Sequence, residues 1–251
     1  MSFLRAARET PGRFEAVTES ASTNAELRER AADADAWPHL SVLLTDNQTA
    51  GRGRLDRTWS TPPGAALAIS VLLRELPAEP IARSWIPLAA GLAMADAAAA
   101  QLPGHEVGVK WPNDVLVDGR KICGILAEAT ADAVIVGAGV NTAMTAEQLP
   151  VPTAISFAAV GVAADADRLV ADYVTGLARW TDALGAAELR EAVAARCLTI
   201  GQQVRVSLPG GGEIVGSAEG LDDGGRLVVT DASGIPHPIS AGDIVHVRPA
   251  G

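Results

Sequence analysis

The chain has 251 residues, 48% of them hydrophobic, and a net charge of −10 at pH 7, which suits one large globular domain or a large and a small one. This acidic charge argues against a general nucleic-acid or membrane-surface binder, because such proteins present an excess of basic surface. No apolar run reaches the roughly 18 residues of a spanning helix, and the N-terminal segment lacks the apolar core of a signal peptide. Two cysteines, Cys123 and Cys197, make neither a disulfide framework nor a zinc site by themselves. We expect a cytoplasmic protein with reduced thiols and with no membrane or nucleic-acid partner.

The first half of the chain predicts two helices and two strands. Segment 22–32 has a capping-box start followed by helix-forming residues. The apolar runs at 39–48 and 65–76 are typical of buried strands. Segment 83–102 is long, rich in alanine and closed by Pro103, which predicts a helix.

The following segment is dominated by strands. Residues 107–130 contain two β-rich runs separated by Asp118 and Gly119, a pair typical of a tight hairpin turn. Residues 133–142 predict a further strand, and 165–198 predict a helical segment. Strands that follow one another through hairpins favour an α+β fold with a mixed, mostly antiparallel sheet over a doubly wound one.

The amino-acid composition of the chain changes at Thr199. Short Val/Ile-rich runs alternate there with Gly, Pro and Asp turns, which predicts a small β-barrel of about five strands. We therefore expect two domains, at 1–198 and 199–251.

A Gly/Arg loop follows the first predicted strand. Residues 51–54 read Gly-Arg-Gly-Arg, with Arg57 close behind. Flexible backbone amides and guanidinium groups suit a carboxylate or a phosphate, although an exposed solvated loop has the same composition. Trp59 beside it either stacks on a base or belongs to the core.

The predicted hairpin carries several polar residues. Asn113 and Asp114 follow a proline, where a carboxylate holds a magnesium ion or caps a turn. Lys121 is either solvated or faces a closed pocket as a phosphate ligand. Gly124 lets a ligand approach the backbone, and Cys123 is interpreted as a small buried residue.

The start of the first long helix gives a third candidate site. Ser22 and Thr23 lie at its predicted N-terminus, where hydroxyl groups and free amides can meet a polar ligand. Simple capping of the helix is the alternative interpretation.

Five segments in this order resemble the biotin protein ligase family, from residue 15 to the C-terminus. They are STN at 22–24, QTAGRGR at 48–54 with Trp59 beyond, KWPND at 110–114, GRKICGILAE at 119–128 and GAGVN at 137–141. No single segment is specific for this family, but the combination of GRGR, KWPND and GRK at this spacing is highly specific for it. The resemblance implies a catalytic domain of the class II aminoacyl-tRNA synthetase/biotin ligase type and an SH3-like C-terminal barrel.

The resemblance also implies a two-step reaction. Biotin and ATP form biotinyl-5′-AMP and pyrophosphate, and a lysine of a biotin carboxyl carrier protein then takes the biotinyl group and releases AMP. The implied co-substrate and activator are ATP and Mg²⁺, with biotin as substrate and no tightly bound prosthetic group. A carboxylase subunit, as in acetyl-CoA carboxylase, is the natural carrier.

Residue roles follow from the same resemblance. Lys121, Arg52 and Arg54 are the implied catalytic residues, and Asp114 is the implied Mg²⁺ ligand. The implied biotin-binding residues are Ser22, Thr23, Asn24, Gln48, Arg52, Gly53, Arg54, Lys121 and Gly124. The implied ATP and adenylate residues are Arg57, Trp59, Asn113, Asp114 and Asn141.

Alternatives remain open at this stage. The chain could instead be a lipoate or octanoyl ligase of related fold, because such an enzyme would also have the lysine at position 121. It could also be a non-catalytic protein that has the nucleotide-binding pocket but catalyses no reaction. Some family members carry an N-terminal DNA-binding domain, and the position of the ligase motifs predicts a short form without it. A monomer and a weak homodimer are both compatible with the sequence.

Overall fold

The computed structural model describes residues 2–54, 57–208, 211–240 and 242–246, and it combines a large α+β part with a small all-β part. The strands of the large part are, in chain order, β1 (Phe14–Ala16), β2 (Ser41–Thr45), β3 (Gly51–Arg52), β4 (Thr58–Trp59), β5 (Ala66–Leu73), β6 (Val107–Lys110), β7 (Asp114–Val117), β8 (Arg120–Ala129) and β9 (Val134–Asn141). The helices are α1 (Leu4–Glu9), α2 (Thr23–Arg30), α3 (Pro80–Arg83), α4 (Ile86–Ala99), α5 (Ala166–Asp182) and α6 (Ala187–Arg196).

Seven of these strands form one sheet in the order β1-β2-β5-β9-β8-β7-β6. Strands β1 and β2 pair in parallel, and every other neighbouring pair in this sheet is antiparallel. The predicted α+β class with a mostly antiparallel sheet is therefore confirmed. Strands β3 and β4 form a separate two-stranded ribbon.

The two faces of the large sheet are covered differently. On one face, Leu67, Ile69 and Val71 of β5 pack with the apolar residues of α4 and α5 in the main core. On the other face, Leu72 of β5 packs with Leu27 of α2. Because α2 is short, it covers only part of that second face.

The predicted helical segments differ from the structure in their extent. The helical segment predicted at 165–198 consists of two helices, α5 and α6. Gly185 has a φ of +88°, a conformation that glycine adopts without strain, so the chain turns between them. The helix predicted at 83–102 begins at Ile86, because α3 ends at Arg83 as a separate turn. The short elements α1 and β1 carry too few residues to show a period, and the sequence did not predict them.

The hairpin at Asp118 and Gly119 is present, and both residues have positive φ, at 48° and 75°. A turn of this kind matches the twist of the strands that it joins. Strands β7 and β8 pair through it, with a register shift between Val115 and Leu116.

The C-terminal part is a five-stranded antiparallel sheet in the order β13-β12-β11-β10-β14, as expected for an SH3-like domain. Its strands are β10 (Gln203–Ser207), β11 (Glu213–Leu221), β12 (Leu227–Asp231), β13 (Pro236–Ile239) and β14 (Asp243–His246). Two indole N–H groups fix it to the large part: Trp85 donates to the carbonyl of Asp223 at 2.8 Å, and Trp111 to that of Gly225 at 2.9 Å. The boundary proposed at residue 198 falls just before this sheet.

Both cysteines are buried and free, and burial raises the pKa of the Cys123 thiol, in keeping with its interpretation as a small buried residue. Within the described ranges, the helices include none that is both long and apolar enough to cross a membrane.

Candidate active site

A cavity of about 410 Å³ opens on the partly covered face of the large sheet. Its floor is formed by Ala68 of β5, Gly124 of β8, and Gly137 and Gly139 of β9. The strand register places Ala68 and Gly124 on either side of Gly139, so these small residues are neighbours on one face. The absence of side chains at the glycines leaves room above the strands.

Two of these glycines each allow one side chain to lie directly on the sheet. A Cβ atom at Gly137 would stand 2.4 Å from Asn24 Oδ1, and one at Gly139 would stand 2.8 Å from Trp59 Cε2. Real Cβ atoms do not approach other atoms this closely. The GAGVN segment therefore specifies the positions of Asn24 and Trp59 as well as the floor.

One end of the cavity is a buried polar cluster. The backbone N–H and the hydroxyl group of Thr23 lie 2.9 and 3.1 Å from Gln48 Oε1. Ser70 Oγ lies 2.8 Å from Thr23 Oγ1 and 2.6 Å from Asn24 Oδ1. Ser22 caps α2 by accepting a hydrogen bond from Ala25 N. Buried polar groups need partners, and these groups supply them to one another beside the cavity.

Glu128 connects this polar end to the Gly/Arg loop. Its carboxylate accepts a hydrogen bond from Asn24 Nδ2 at 2.8 Å, from Arg28 at 2.6 Å and from Arg52 at 3.1 Å. Burial alone raises the pKa of such a carboxyl group, but the donors Asn24 and Arg28 and the charge of Arg52 outweigh it and lower the pKa of Glu128. The carboxylate is therefore held in its charged form.

The Gly/Arg loop lies over the cavity as the ribbon β3–β4. Gly53 N donates to the carbonyl of Arg57 at 2.6 Å, which closes the loop. Arg54 donates to Asn113 Oδ1 at 2.7 Å, and burial lowers the pKa of its guanidinium. Arg57 forms an ion pair with Asp243 of the small domain. Each of these arginines thus contacts a different wall of the cavity.

The hairpin β7–β8 contributes a lysine and a carboxylate. Lys121 Nζ lies 2.6 Å from Asp114 Oδ1, and the register shift after Val115 brings the two residues together. A Cβ atom at Gly124 would stand 3.0 Å from Lys121 Nζ and 3.6 Å from Asp114 Oδ1. The glycine therefore leaves space for this pair.

A second lysine lies beside the pair. Lys110 is the last residue of β6, lines the cavity and stands opposite Asp114 in the strand register. Burial lowers its pKa, while the charge of Asp114 acts in the opposite direction. The polar cluster and these cations occupy different ends of one cavity.

Thirteen of the predicted site residues line this cavity, and the structure brings them together from six stretches of the chain. They are Ser22, Thr23, Asn24, Gln48, Arg52, Gly53, Arg54, Arg57, Trp59, Asn113, Asp114, Lys121 and Gly124. Asn141 is not among the lining residues: its buried side chain donates to the carbonyl of Ile155 at 2.9 Å. Its predicted contact with adenine stays a prediction.

Sequence reasoning missed three polar residues of the site and the contribution of β14. Lys110 begins the KWPND segment, and Ser70 interrupts an apolar strand, so both gave a signal. Glu128 ends the GRKICGILAE segment but has no local pattern that would assign it a partner. Asp243, Ile244 and Val245 line the cavity from the small domain, and nothing in the sequence links them to it.

The site offers a single carboxylate at the predicted metal position. Within the part of the chain that the structure describes, no group of three or more His, Cys, Asp or Glu residues has the arrangement of a metal site. Mg²⁺ typically takes one or two protein carboxylates and completes its shell with phosphates and water. Asp114 therefore fits an ion that shares its ligands with a bound nucleotide.

Comparison with known proteins places this geometry in a family. Residues 15–141 match the model of the biotin/lipoate A/B protein ligase family, and residues 199–247 match the biotin protein ligase C-terminal domain. The biotin–[acetyl-CoA-carboxylase] ligase of Mycobacterium tuberculosis is 41% identical over 242 residues, covering 94% of this chain and 89% of the relative.

Solved structures share the fold. The biotin protein ligase of Aquifex aeolicus in complex with biotin and ATP has a TM-score of 0.76 at 24% identity, over 94% of this chain and 99% of that one. The biotin protein ligase of Leishmania major in complex with biotinyl-5-AMP has a TM-score of 0.64 at 25% identity, over 92% and 100%. The chain therefore belongs to the biotin/lipoate A/B protein ligase family, and within it to the biotin protein ligases.

Proposed function

We propose that the chain is an ATP-dependent ligase that converts biotin to biotinyl-5′-AMP and transfers the biotinyl group to a lysine of a biotin carboxyl carrier protein. The observation that carries this proposal is the two-ended cavity. Its buried end presents hydroxyl and amide groups, and its other end presents Arg54, Lys110 and Lys121. A ligand with a polar ring and a carboxylate tail, followed by a phosphate, matches this order of groups.

The polar end suits the ureido ring of biotin. That ring has two N–H donors and a carbonyl acceptor, and the side chains of Ser22, Thr23, Asn24 and Gln48 supply both kinds of partner. Exchange of their mutual hydrogen bonds for bonds to the ring keeps every buried group satisfied. The small floor residues leave space for the thiophane ring and the valeryl chain.

In the first step, a carboxylate oxygen of biotin attacks the α-phosphorus of ATP. The bond from this phosphorus to the α,β-bridging oxygen breaks, and its electron pair leaves with pyrophosphate. Both reactants are anions, so fixed cations are needed to bring them together and to stabilise the charge in the transition state. We assign this task to Arg52, Arg54 and Lys121, which line the cavity together.

In the second step, the amine of the carrier lysine attacks the acyl carbon of the mixed anhydride. The acyl C–O bond breaks, AMP leaves with the electron pair, and the nitrogen loses a proton as the amide forms. The Gly/Arg loop lies over the cavity and shields the anhydride, which water would otherwise hydrolyse. We assign Trp59 and Arg57, which line the cavity, to the adenylate, together with Asn141 at the end of β9.

Mg²⁺ would be held by Asp114 together with the phosphates, with Asn113 nearby, and would neutralise part of the phosphate charge when bound. Release of Asp114 from Lys121 would free the ammonium group for the substrate carboxylate. Both changes follow from the arrival of one nucleotide.

Mass spectrometry of the protein incubated with biotin, ATP and Mg²⁺ tests the proposal. We expect biotinyl-AMP from the wild type and little from Lys121→Ala, with lipoate tested in parallel and in competition. Arg120→Ala is a matched control, because Arg120 is exposed on the same hairpin and lies outside the cavity. A lipoyl adduct in place of the biotinyl one, or no adduct from folded wild type, would overturn the assignment.

A further inference from the structure

Lys110 lines the cationic end of the cavity together with Arg54 and Lys121, but neither reaction step gives it a partner. Its ammonium group makes no ion pair and no side-chain hydrogen bond with any residue in the described ranges, whereas Lys121 holds Asp114 at 2.6 Å. The charged groups that act on Lys110 are Asp114, Lys121, Asp243 and Arg57. They form two ion pairs, Lys121 with Asp114 and Arg57 with Asp243, so the five side chains together carry a net charge of +1. The uncompensated charge belongs to Lys110.

The environment of Lys110 favours an anionic ligand. The side chain is half-buried, and burial lowers its pKa because the charged form loses hydration. A cation in this position gains more from an arriving anion than a solvated surface lysine would. Arg57 is close enough to influence it but already pairs with Asp243.

The order of the strands indicates which group of the substrate lies nearest to Lys110. The polar cluster contacts β5 and β9, Lys121 lies on β8, Asp114 on β7 and Lys110 on β6, and these strands are adjacent in the sheet in the order β5-β9-β8-β7-β6. Neighbouring strands are about 4.8 Å apart. A substrate whose ring lies at the polar cluster and whose carboxylate lies at Lys121 therefore has Lys110 on the far side of the α-phosphorus.

We infer that Lys110 is a catalytic residue of the adenylation step alone, where its ammonium group binds the pyrophosphate that leaves ATP. This inference rests on the proposed function. As the bond between the α-phosphorus and the bridging oxygen breaks, negative charge moves onto the β-phosphate, and Lys110 stabilises it by charge and hydrogen bonding. No proton is transferred. The transfer step releases AMP and no pyrophosphate, so it does not use Lys110.

The experiment separates the two half-reactions of the full-length protein. Adenylation is measured by biotin-dependent exchange of labelled pyrophosphate into ATP, and transfer by supplying purified biotinyl-AMP and a carrier domain. Lys110→Met preserves the length of the side chain and removes the charge. We expect the exchange rate to fall about 100-fold, as for loss of one preorganised charge-stabilising group, and the transfer rate to stay within about threefold of wild type.

Further variants serve as controls for Lys110→Met. Arg120→Met changes the net charge equally, at an exposed residue outside the cavity, and should leave both rates unchanged. Lys110→Arg keeps the charge and should restore part of the exchange rate. Lys110→Gln, which also removes the charge, replaces the Met variant if that variant does not fold. Normal transfer by a variant shows that it is folded.

An equal loss in both half-reactions, or an unchanged exchange rate in Lys110→Met, would overturn the inference. If wild type forms no biotinyl-AMP, the proposed function itself fails. If wild type forms it and Lys110→Met does so equally well, only the role of Lys110 fails.

Discussion

The two faces of the central sheet are built from the same strands and serve different purposes. On β5, Leu67, Ile69 and Val71 enter the helix-covered core on one face. On the other face, Ala68 lines the cavity and Ser70 contacts Thr23 and Asn24 of the polar cluster. Strand β9 repeats the pattern with Val136 in the core and Gly137 under Asn24. Alternate positions of one strand thus separate stability from ligand binding, because successive side chains point to opposite faces.

The core face should respond to substitution mainly through stability. Leu67 is fully buried, so Leu67→Ala should lower the free energy of unfolding by about 2–5 kcal/mol. The KM values for biotin and ATP should stay near wild type, because the residue does not line the cavity. Urea denaturation and steady-state kinetics measure the two effects. A large rise in KM with unchanged stability would contradict the separation of the faces.

The cavity face should respond through binding. Gly137→Ala would place a methyl group 2.4 Å from Asn24 Oδ1, and Asn24 is buried and held by Ser70 and Glu128. The side chain cannot yield without losing those bonds, so we expect kcat/KM for biotin to fall about 100-fold. Calorimetric titration with biotin checks the effect on binding. Wild-type affinity in this variant would show that Asn24 does not contact the ring.

Gly139→Ala should have a smaller effect at the same face. The added methyl group would meet the indole of Trp59, which is half-buried and can move outward. We expect a rise of about tenfold in the KM for ATP and little change for biotin, because the polar cluster is untouched. An effect on biotin larger than that on ATP would place Trp59 at the ring end instead.

Glu128→Gln should give the smallest change. All partners of Glu128 are donors, so an amide would turn an N–H group toward Asn24, Arg28 or Arg52. Because the carboxylate is only partly buried, we expect the KM for biotin to rise about threefold to tenfold. Arg28→Ala removes an exposed partner of the same carboxylate and should be close to neutral. Steady-state kinetics give the KM for biotin of both variants. An equal rise in KM in Arg28→Ala and Glu128→Gln would contradict the smaller role of Arg28.

Much of the site was predictable from sequence, because short segments of neighbouring residues specify its main motifs. The hairpin at Asp118 and Gly119, the Gly/Arg loop and the helix start at Thr23 are each specified within a few residues, and the order of the motifs supplied the link between them. Both glycines in GAGVN belong to a segment that the family resemblance already includes. Their close contacts with Asn24 and Trp59 depend on strand register, which the motif does not encode.

Features that depend on distant pairing were not predictable. Glu128 meets Arg52 and Asn24 only because β8 lies beside β9 and under the ribbon, and Asp243 reaches Arg57 only because the small domain packs on the cavity. The prediction of a helical segment at 165–198 did not locate the break between α5 and α6, because helix-forming residues flank Gly185 on both sides. A one-residue register shift brings Lys121 to Asp114, and no sequence pattern marks it.

Intact-mass spectrometry of a biotin carboxyl carrier domain incubated with the protein, biotin, ATP and Mg²⁺ measures the proposed transfer of biotin itself. We expect the carrier to gain one biotinyl group only when both biotin and ATP are present. We expect no gain when the acceptor lysine of the carrier is changed to arginine. A carrier that stays unmodified by folded wild-type protein, or that gains a lipoyl group in place of biotin, would show that the protein is not a biotin ligase.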